Sequence, residues 1–172
     1  MSELILVRHT CVAVSGVCYG RSEVPLADSF VTEAAQIKNQ LVNLDVSAYY
    51  SSPALRCMDL ARHLSANIQI DERLTELNFG SWEGKRWDDI GEIAVGAWAQ
   101  DFVNFAPPQG ESYAHLAQRV NAFIKHIPAH TCIVAITHAG VIRATHALLN
   151  NIPLADSFAF QPGLGGVYRY RV

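Results

Sequence analysis

An arginine and a histidine directly follow a run of four apolar residues near the start of the chain, Leu4 to Val7. Such a run is typical of a buried parallel strand, which would deliver Arg8 and His9 to its C-terminal edge. Ligands bind at that edge in open α/β sheets. A guanidinium binds an anion while a neutral imidazole nitrogen can attack it, so the pair favours a phosphate ester as substrate.

A second histidine and a second arginine occupy similar positions further along the chain. The apolar run at 132–136 ends in Thr137 and His138, and Arg56 follows a short strand in the first turn of a helix that we expect to start at Ser52-Pro53. All four side chains can therefore meet at one sheet edge. Phosphoryl transfer needs such a cationic cluster, because negative charge spreads over the oxygens of its transition state.

The same chemistry needs a proton donor for the leaving oxygen and a base for water. Glu76, Glu83 and Glu111 are the plausible carboxylates. Their positions in the sequence do not rank them, and each one alone is also compatible with an ordinary surface charge.

Apolar and polar periodicity predicts alternating strands and helices around these residues. We expect a loop at 11–28, a mostly irregular segment at 73–80, strands at 4–8, 46–50, 68–70, 132–136 and within 166–172, and helices at 29–44, from 53, 87–105, 111–127 and 139–149. This alternation predicts an α/β fold, a three-layer α/β/α sandwich with a mainly parallel sheet. At 172 residues we expect a single domain, 1–172.

Composition excludes several functional classes. The formal net charge is −3 with the signs interspersed, so no nucleic-acid-binding face is expected. No apolar run approaches the roughly 18 residues of a membrane span, and residues 1–3 lack a leader pattern, which predicts a cytoplasmic protein. The four cysteines form no C-x-x-C pair, and Pro128 separates His126 from His130, so we expect reduced thiols, no metal and no cofactor. Oligomeric state stays open.

Other phosphate and ester chemistries lack their motifs. No cysteine has an arginine six positions later, and neither a G-x-x-x-x-G-K-[ST] loop nor a G-x-S-x-G elbow occurs. The glycine-rich stretch at 163–166 is better interpreted as a turn before the last strand.

Several segments, in order along residues 4–149, together resemble the histidine phosphatase superfamily, to which the phosphoglycerate mutases belong. They are Leu6-Val7-Arg8-His9-Thr10, Ser51-Ser52-Pro53-Ala54-Leu55-Arg56, Arg73-Leu74-Thr75-Glu76, Phe79-Gly80-Ser81-Trp82-Glu83-Gly84, Pro108-Gln109-Gly110-Glu111-Ser112 and Thr137-His138-Ala139-Gly140-Val141-Ile142-Arg143. The resemblance implies a phosphoglycerate mutase-like fold and a hydrolase that forms phosphohistidine.

The same resemblance implies a role for individual residues. His9 becomes the nucleophile, Glu76 the acid and base, and Arg8, Arg56 and His138 the phosphate pocket. Further substrate contacts are expected from Ser15, Tyr19, Gly20, Arg21 and Ala139.

Within the superfamily, Arg-His-Thr followed by Gly16-Val17-Cys18-Tyr19-Gly20 and Val24-Pro25-Leu26 is most similar to the α-ribazole phosphatases. The implied reaction is hydrolysis of α-ribazole 5′-phosphate in cobalamin nucleotide-loop assembly. The chain departs from the pattern at Ser15 (often asparagine), Leu60 (often threonine), Ala139 (often glycine) and Arg21-Ser22-Glu23. The partner expected from all of this is a small-molecule phosphate ester.

Two other functions compete with that prediction. One is a phosphoglycerate mutase-type or broad-specificity sugar phosphatase activity, and the short stretch between Glu76 and His138 leaves little room for the enclosing segments that mutases carry. The other is a non-catalytic phosphoester-binding domain, which would not need a nucleophile and an acid together.

Overall fold

One five-stranded sheet forms the centre of the protein, as seen in a computed structural model that describes residues 1–172. Its strand order is β3-β2-β4-β1-β5, and all neighbours are parallel except β5, which runs antiparallel to β1 at one edge. The strands are β1 (Glu3–Arg8), β2 (Ala48–Ser51), β3 (Ile68–Ile70), β4 (Cys132–Thr137) and β5 (Val167–Arg171). The predicted, mainly parallel sheet is confirmed.

Six α-helices connect or cover the strands: α1 (Phe30–Leu41), α2 (Leu55–Leu64), α3 (Trp87–Ile90), α4 (Glu92–Gln100), α5 (Tyr113–Lys125) and α6 (Ala139–Leu149). Short 3-10 helices lie at Glu72–Leu74, Gly80–Trp82 and Leu154–Ala159. None of the helices is long and apolar enough to cross a membrane.

Strands β1 and β4 each contain a continuous apolar run, at 4–7 and 133–136, because both of their faces are buried. Leu4 and Leu6 of β1 face a core formed with α5 and α6, whereas Ile5 and Val7 face a second core formed with α1 and α2. Alternation along a strand places successive side chains on opposite faces. The result is the predicted three-layer α/β/α sandwich.

The prediction of one amphipathic helix over 87–105 is wrong. Gly91 has a φ of +94°, a conformation that side chains with a Cβ rarely adopt, and it separates α3 from α4. After Gln100 the chain turns rather than continuing as a helix. The apolar residues of this pattern are only half-buried, and the glycine interrupts the helix that would have carried them.

The predicted helix start at Ser52-Pro53 is also wrong, by two residues. Helix α2 begins at Leu55 with Ala54 as its N-cap, and the Glu23 carboxylate accepts the Leu55 N–H at 3.1 Å. Ser52 is therefore not the N-cap residue, although its hydroxyl accepts the Ala54 N–H at 3.4 Å. Its hydroxyl lies instead within the group of polar residues at the sheet edge.

Polar residues that follow β1, β2 and β4 lie side by side at the C-terminal edge of the sheet. Arg8 pairs in register with Thr137, and the Ser52 N–H donates to the Ile136 carbonyl at 2.9 Å. The His9 N–H donates to the Thr137 carbonyl at 3.1 Å. Loop 11–28, irregular as predicted apart from two isolated bridges, follows directly from this edge.

Candidate active site

His9 is buried at the end of β1 in a single tautomer. Its Nδ1 lies 2.9 Å from the Thr10 carbonyl, which can only accept, so Nδ1 carries the hydrogen and Nε2 keeps its lone pair. Burial lowers the pKa of His9 to about 3; the Thr10 hydrogen bond opposes this shift, whereas Arg56 and Arg8 add to it. At neutral pH the ring is uncharged and Nε2 can act as a nucleophile.

His138, after β4, is buried in the opposite tautomer. Arg56 Nη2 lies 3.3 Å from His138 Nδ1, and because a guanidinium only donates, Nδ1 accepts and Nε2–H donates to Ser52 Oγ at 2.8 Å. Burial, followed by the charge of Arg56, holds the pKa of His138 well below its usual value. The His9 and His138 rings are 5.3 Å apart between centroids.

Arg56 is 1% exposed and is held by main-chain carbonyls of loop 11–28. Its Nη1 donates to the Ser22 carbonyl at 2.9 Å and its Nη2 to the Gly20 carbonyl at 2.5 Å. The guanidinium also stands over the Tyr19 ring, 5.3 Å from its centroid. Its Nε is buried without a hydrogen-bond partner.

Arg8 reaches the C-terminal part of the chain, where its Nη1 donates to the Pro162 carbonyl at 2.6 Å. Its Nε, like the neighbouring Thr10 hydroxyl, is buried without a partner. Two guanidiniums with unpaired donors thus flank the two neutral imidazoles. This edge of the sheet is suited to an anion with several acceptor oxygens.

Glu76 lies between the sheet edge and the first turn of α6. One oxygen accepts the Leu77 N–H at 2.9 Å and the other accepts the Gly140 N–H at 3.2 Å. A Cβ at residue 140 would overlap Glu76 Oε1, so glycine is what allows this approach. Glu76 and His138 line the same cavity of about 190 Å³, together with Gly20, Arg21, Glu23, Ser52, Pro53, Ala54, Glu72 and Thr75.

The two other candidate carboxylates are engaged elsewhere. Glu83 accepts N–H groups from Gly20, Arg21, Ser22 and Phe79. Burial raises the pKa of Glu83, but these hydrogen bonds outweigh that effect and leave it below its usual range. Glu111 pairs with Arg119 at 2.8 Å. Of the three carboxylates left open by the sequence, Glu76 alone lines the cavity with His138.

Comparison with known proteins identifies the family. The model of the histidine phosphatase superfamily (branch 1) matches residues 4–172. The chain belongs to the histidine phosphatase superfamily. It is therefore a phosphatase of that family, as the sequence predicted.

Relatives within this superfamily differ in their named substrates. An adenosylcobalamin/alpha-ribazole phosphatase of Salmonella typhimurium is 26% identical over 171 residues, covering 92% of this chain and 85% of the relative. A glucosyl-3-phosphoglycerate phosphatase of Mycobacterium tuberculosis is 27% identical over 185 residues, covering 96% and 81%. The crystal structure of the alpha-ribazole phosphatase from Shigella flexneri superposes with a TM-score of 0.88 at 25% identity, covering 97% and 89%.

Most of the further residues that the superfamily resemblance implied for substrate contact lie near this site. Gly20 and Arg21 line the polar cavity, and Tyr19 lies beside Arg56. The Arg21 side chain is 3.9 Å from Glu111. Ala139 lines a separate apolar cavity instead.

Ser15 is not brought to the site. It is exposed in loop 11–28, lines neither cavity next to Glu76 and makes no side-chain hydrogen bond. Leu60, another departure from the superfamily pattern, is fully buried in the core between the sheet, α1 and α2. Substitution at residue 60 thus alters packing behind the site rather than the site itself.

Ser52 and Thr10 are site residues that sequence reasoning did not select. Both follow a strand at the same sheet edge as the histidines, and that placement was the available signal. The Ser52-Pro53 pattern predicts only a helix cap, whereas the Ser52 hydroxyl hydrogen-bonds His138. No group of three or more His, Cys, Asp or Glu side chains that could hold a metal ion is present.

Proposed function

We propose that this protein is a phosphomonoesterase that works through a phosphohistidine at His9. One observation carries this proposal: of the four buried side-chain nitrogen and oxygen atoms without a partner, three are Arg8 Nε, Thr10 Oγ1 and Arg56 Nε. Buried polar groups are normally paired. A phosphoryl group has the acceptor oxygens that these donors lack, and it would lie against His9.

In the first step, His9 Nε2 attacks phosphorus and the bond between phosphorus and the ester oxygen breaks. The imidazole becomes cationic, and its Nδ1–H already donates to the Thr10 carbonyl, which stabilises the developing charge. Glu76 donates a proton to the leaving oxygen, so the product departs as an alcohol. Arg8, Arg56 and His138 hold the equatorial oxygens.

In the second step, the Glu76 carboxylate takes a proton from water, whose oxygen attacks phosphorus. The phosphorus–nitrogen bond breaks, its electron pair returns to His9 Nε2, and inorganic phosphate leaves. Both steps use the same carboxylate, first as acid and then as base. The protein's own cations supply the positive charge, so we propose that no metal is required.

For the substrate we propose a small phosphorylated nucleoside or sugar, with α-ribazole 5′-phosphate as the first ester to test. The loop motif at 16–26 and the relatives from Salmonella and Shigella support this choice. The mycobacterial relative matches at a comparable identity, so a glycerate ester belongs in the same panel. We further propose one domain over 1–172, a cytoplasmic location and no nucleic-acid partner.

The test is a rapid quench with ³²P-labelled substrate under conditions that preserve phosphoramidates. We expect an acid-labile label on His9, absent from His9→Gln, and stoichiometric release of phosphate to water. A label on another residue, or none in a protein that turns over, would contradict the proposal. Transfer of label to an acceptor alcohol would indicate a mutase, and saturable binding without release would indicate a binding domain.

Metal independence is tested by exhaustive dialysis against a chelator. We expect the rate to remain unchanged, because the Arg8 and Arg56 guanidiniums neutralise the phosphoryl charge. Loss of activity that a single divalent cation restores would contradict this part of the proposal.

A further inference from the structure

A second cavity, of about 300 Å³, adjoins the polar one at Glu76. Eight of its eleven lining residues are hydrophobic. They are Leu77, Phe79, Trp87, Val95, Trp98, Tyr113, Ala139 and Phe158, and the remaining three are Glu76, Gly140 and Arg143. Glu76 is the one side chain that lines both cavities.

The proposed reaction fixes what each side of Glu76 must hold. The proton donor has to lie next to the ester oxygen, with the phosphoryl group on one side and the carbon of the alcohol on the other. His138 lines the polar cavity, and the His9 ring lies 5.3 Å from the His138 ring between centroids, so the phosphoryl group belongs on the polar side. The alcohol therefore extends into the apolar cavity.

Three aromatic rings of this cavity, those of Phe79, Trp87 and Trp98, pack against one another. Phe79 and Trp87 are edge to face, 5.6 Å apart at 89°, while Trp87 and Trp98 are 6.2 Å apart at 32°. Aromatic walls in such arrangements favour a flat apolar ligand, which gains edge-to-face and offset contacts beyond area burial. Trp98 Nε1 is buried there without a partner and could donate to one ligand oxygen, but the other hydroxyls of a sugar ring would stay unpaired against the aromatic walls.

Arg143 is the only cation of the cavity, and its own partners already hold it. The guanidinium lies 4.1 Å from the centroid of the Phe158 ring. Its Nε donates to the Phe160 carbonyl at 3.2 Å and its Nη2 to the Gln161 side chain at 3.4 Å. The Nε and Nη2 edge of the fork, which could bind a carboxylate in two places, is thereby engaged by protein acceptors, and Nη1 alone makes no hydrogen bond.

We propose that this apolar cavity is the leaving-group site and that it selects phosphate esters of alcohols bearing an aromatic ring. The proposal rests on the proposed phosphatase function and specifies its substrate class. Trp98 and Val95, both on α4, are specificity-determining residues in this scheme. Of the nucleoside and sugar esters proposed above, nucleosides with an aromatic base are thereby favoured, and esters of a bare sugar or of an alcohol with a carboxylate are disfavoured.

The kinetic test compares 2-phenylethyl phosphate with n-butyl phosphate and 3-phosphoglycerate. The first two leaving groups are primary alcohols, so the comparison reports ring recognition rather than leaving-group chemistry. We expect kcat/KM for the phenylethyl ester to exceed that for the butyl ester by about 10- to 100-fold, from the apolar area that a phenyl ring buries. Equal values for hydrolysed esters, or a preference for 3-phosphoglycerate, would overturn the inference.

Variants on α4 test whether the residues of this cavity cause the preference for the phenylethyl ester. Trp98→Ala should lower the preference to within about threefold of unity, and Val95→Thr, which keeps the side-chain shape, should lower it by a smaller factor. Ile93→Ala is the matched control on the same helix, because Ile93 is 92% exposed. A preference that survives in Val95→Thr and in a folded Trp98→Ala would place the ring elsewhere.

A binding measurement separates this inference from the proposed function. The phosphonates of 2-phenylethane and n-butane cannot be hydrolysed at phosphorus, so calorimetry reports their affinity whether or not the protein is an enzyme. We expect the phenylethyl compound to bind about 10- to 100-fold more tightly. Tighter binding without ester hydrolysis would contradict the phosphatase proposal alone, whereas hydrolysis without ring preference would contradict the cavity assignment alone.

Discussion

Two buried imidazoles in opposite tautomers are the chemical basis of this site. His9 keeps its free lone pair on Nε2 because Nδ1–H is committed to Thr10, and His138 keeps its hydrogen on Nε2 because Nδ1 faces Arg56. One ring is thereby prepared to attack and the other to donate. Neither arrangement could exist if the rings were charged, and burial lowers the pKa of both.

Replacing Arg56 with lysine should remove several of the hydrogen bonds that order the site. A lysine ammonium is a point charge and cannot serve two carbonyls, His138 and a phosphoryl oxygen together. We expect kcat/KM to fall by roughly 10²-fold, the loss of one or two charge-assisted hydrogen bonds. Arg62→Lys, on the exposed side of the same helix, is the control and should change little. An unchanged kcat/KM in Arg56→Lys would place Arg56 outside the phosphate pocket.

The proposed role of Glu76 is tested by substrates that need its proton to different degrees. An alkoxide is strongly basic and needs protonation, whereas a nitrophenolate leaves readily without it. General acid catalysis is typically worth about 10²- to 10⁴-fold, so Glu76→Gln should slow alkyl phosphates by such a factor and spare the phosphorylation step with nitrophenyl phosphate.

The same Glu76→Gln variant also lacks the base of the second step. With nitrophenyl phosphate we therefore expect a burst near one equivalent, followed by a stalled phosphoenzyme. Stopped-flow measurement of nitrophenolate release reports both phases. Equal losses for both substrates with no burst would assign Glu76 a structural role.

The sequence predicted which arginines and histidines meet at this site, but the residues alone did not show which carboxylate joins them. Arg8, His9 and His138 were placed together because each follows an apolar run, and parallel strands end at one edge. Glu76 and Glu83 could not be ranked from the residues, because what distinguishes them is the number of N–H groups that each accepts in the folded chain. Such contacts join segments about 60 residues apart, as between Gly20 and Glu83.

Loop 11–28 is fixed over the site by Glu83, which makes this carboxylate a positioning residue. Its oxygens accept the N–H groups of Gly20, Arg21 and Ser22, and the carbonyls of Gly20 and Ser22 in turn accept Arg56. Glu83 thus positions the Arg56 guanidinium indirectly, through the main chain of the loop. Hydrogen bonds aligned in this way polarise one another.

Glu83→Gln should loosen the loop without removing any group of the phosphate pocket. An amide replaces one acceptor oxygen with a donor that faces main-chain N–H groups, so we expect KM for phosphate esters to rise by roughly tenfold, the equivalent of one lost hydrogen bond to a charged group. Glu92→Gln, exposed on α4, is the control. Inhibition by inorganic phosphate should weaken in parallel; a loss of stability with unchanged KM and phosphate affinity would contradict the positioning role.

Periodicity predicted some helices better than others. Helix α6 was predicted with its observed bounds, because its apolar face is continuous and a strand precedes it directly. Segment 87–105 was predicted as one helix because its aromatic residues recur at helical spacing, yet Gly91 lies at a φ that ends α3. Composition could not show that its rings line a cavity rather than a core.

The catalytic edge lies between the two hydrophobic cores of the sandwich, and this placement connects the site to the stability of the protein. His9 and His138 are 2% and 1% exposed, whereas an unfolded chain exposes both rings to water. The protein therefore folds with two histidines that resist protonation. Their cost to stability depends on pH.

We expect the free energy of unfolding to fall as the pH drops below about 6.5. In that range the unfolded chain binds protons that the folded protein excludes, since the folded-state pKa of His9 is lowered to about 3 and that of His138 is also lowered. Each histidine contributes up to about 1.4 kcal/mol per pH unit between its folded-state and unfolded-state pKa values, so stability rises with pH there.

Urea unfolding at pH 7.5, 6.5, 5.5 and 5.0 measures this dependence, with His9→Gln and His138→Gln as the informative variants. Each variant should reduce the slope of the unfolding free energy against pH by up to about 1.4 kcal/mol per pH unit below 6.5, because it removes one histidine that only the unfolded chain protonates. His126→Gln, at an exposed position, is the matched control and should leave the slope intact. Parallel curves for wild type and both site variants would mean that the buried rings take up protons in the folded protein, and the neutral nucleophile would have to be abandoned.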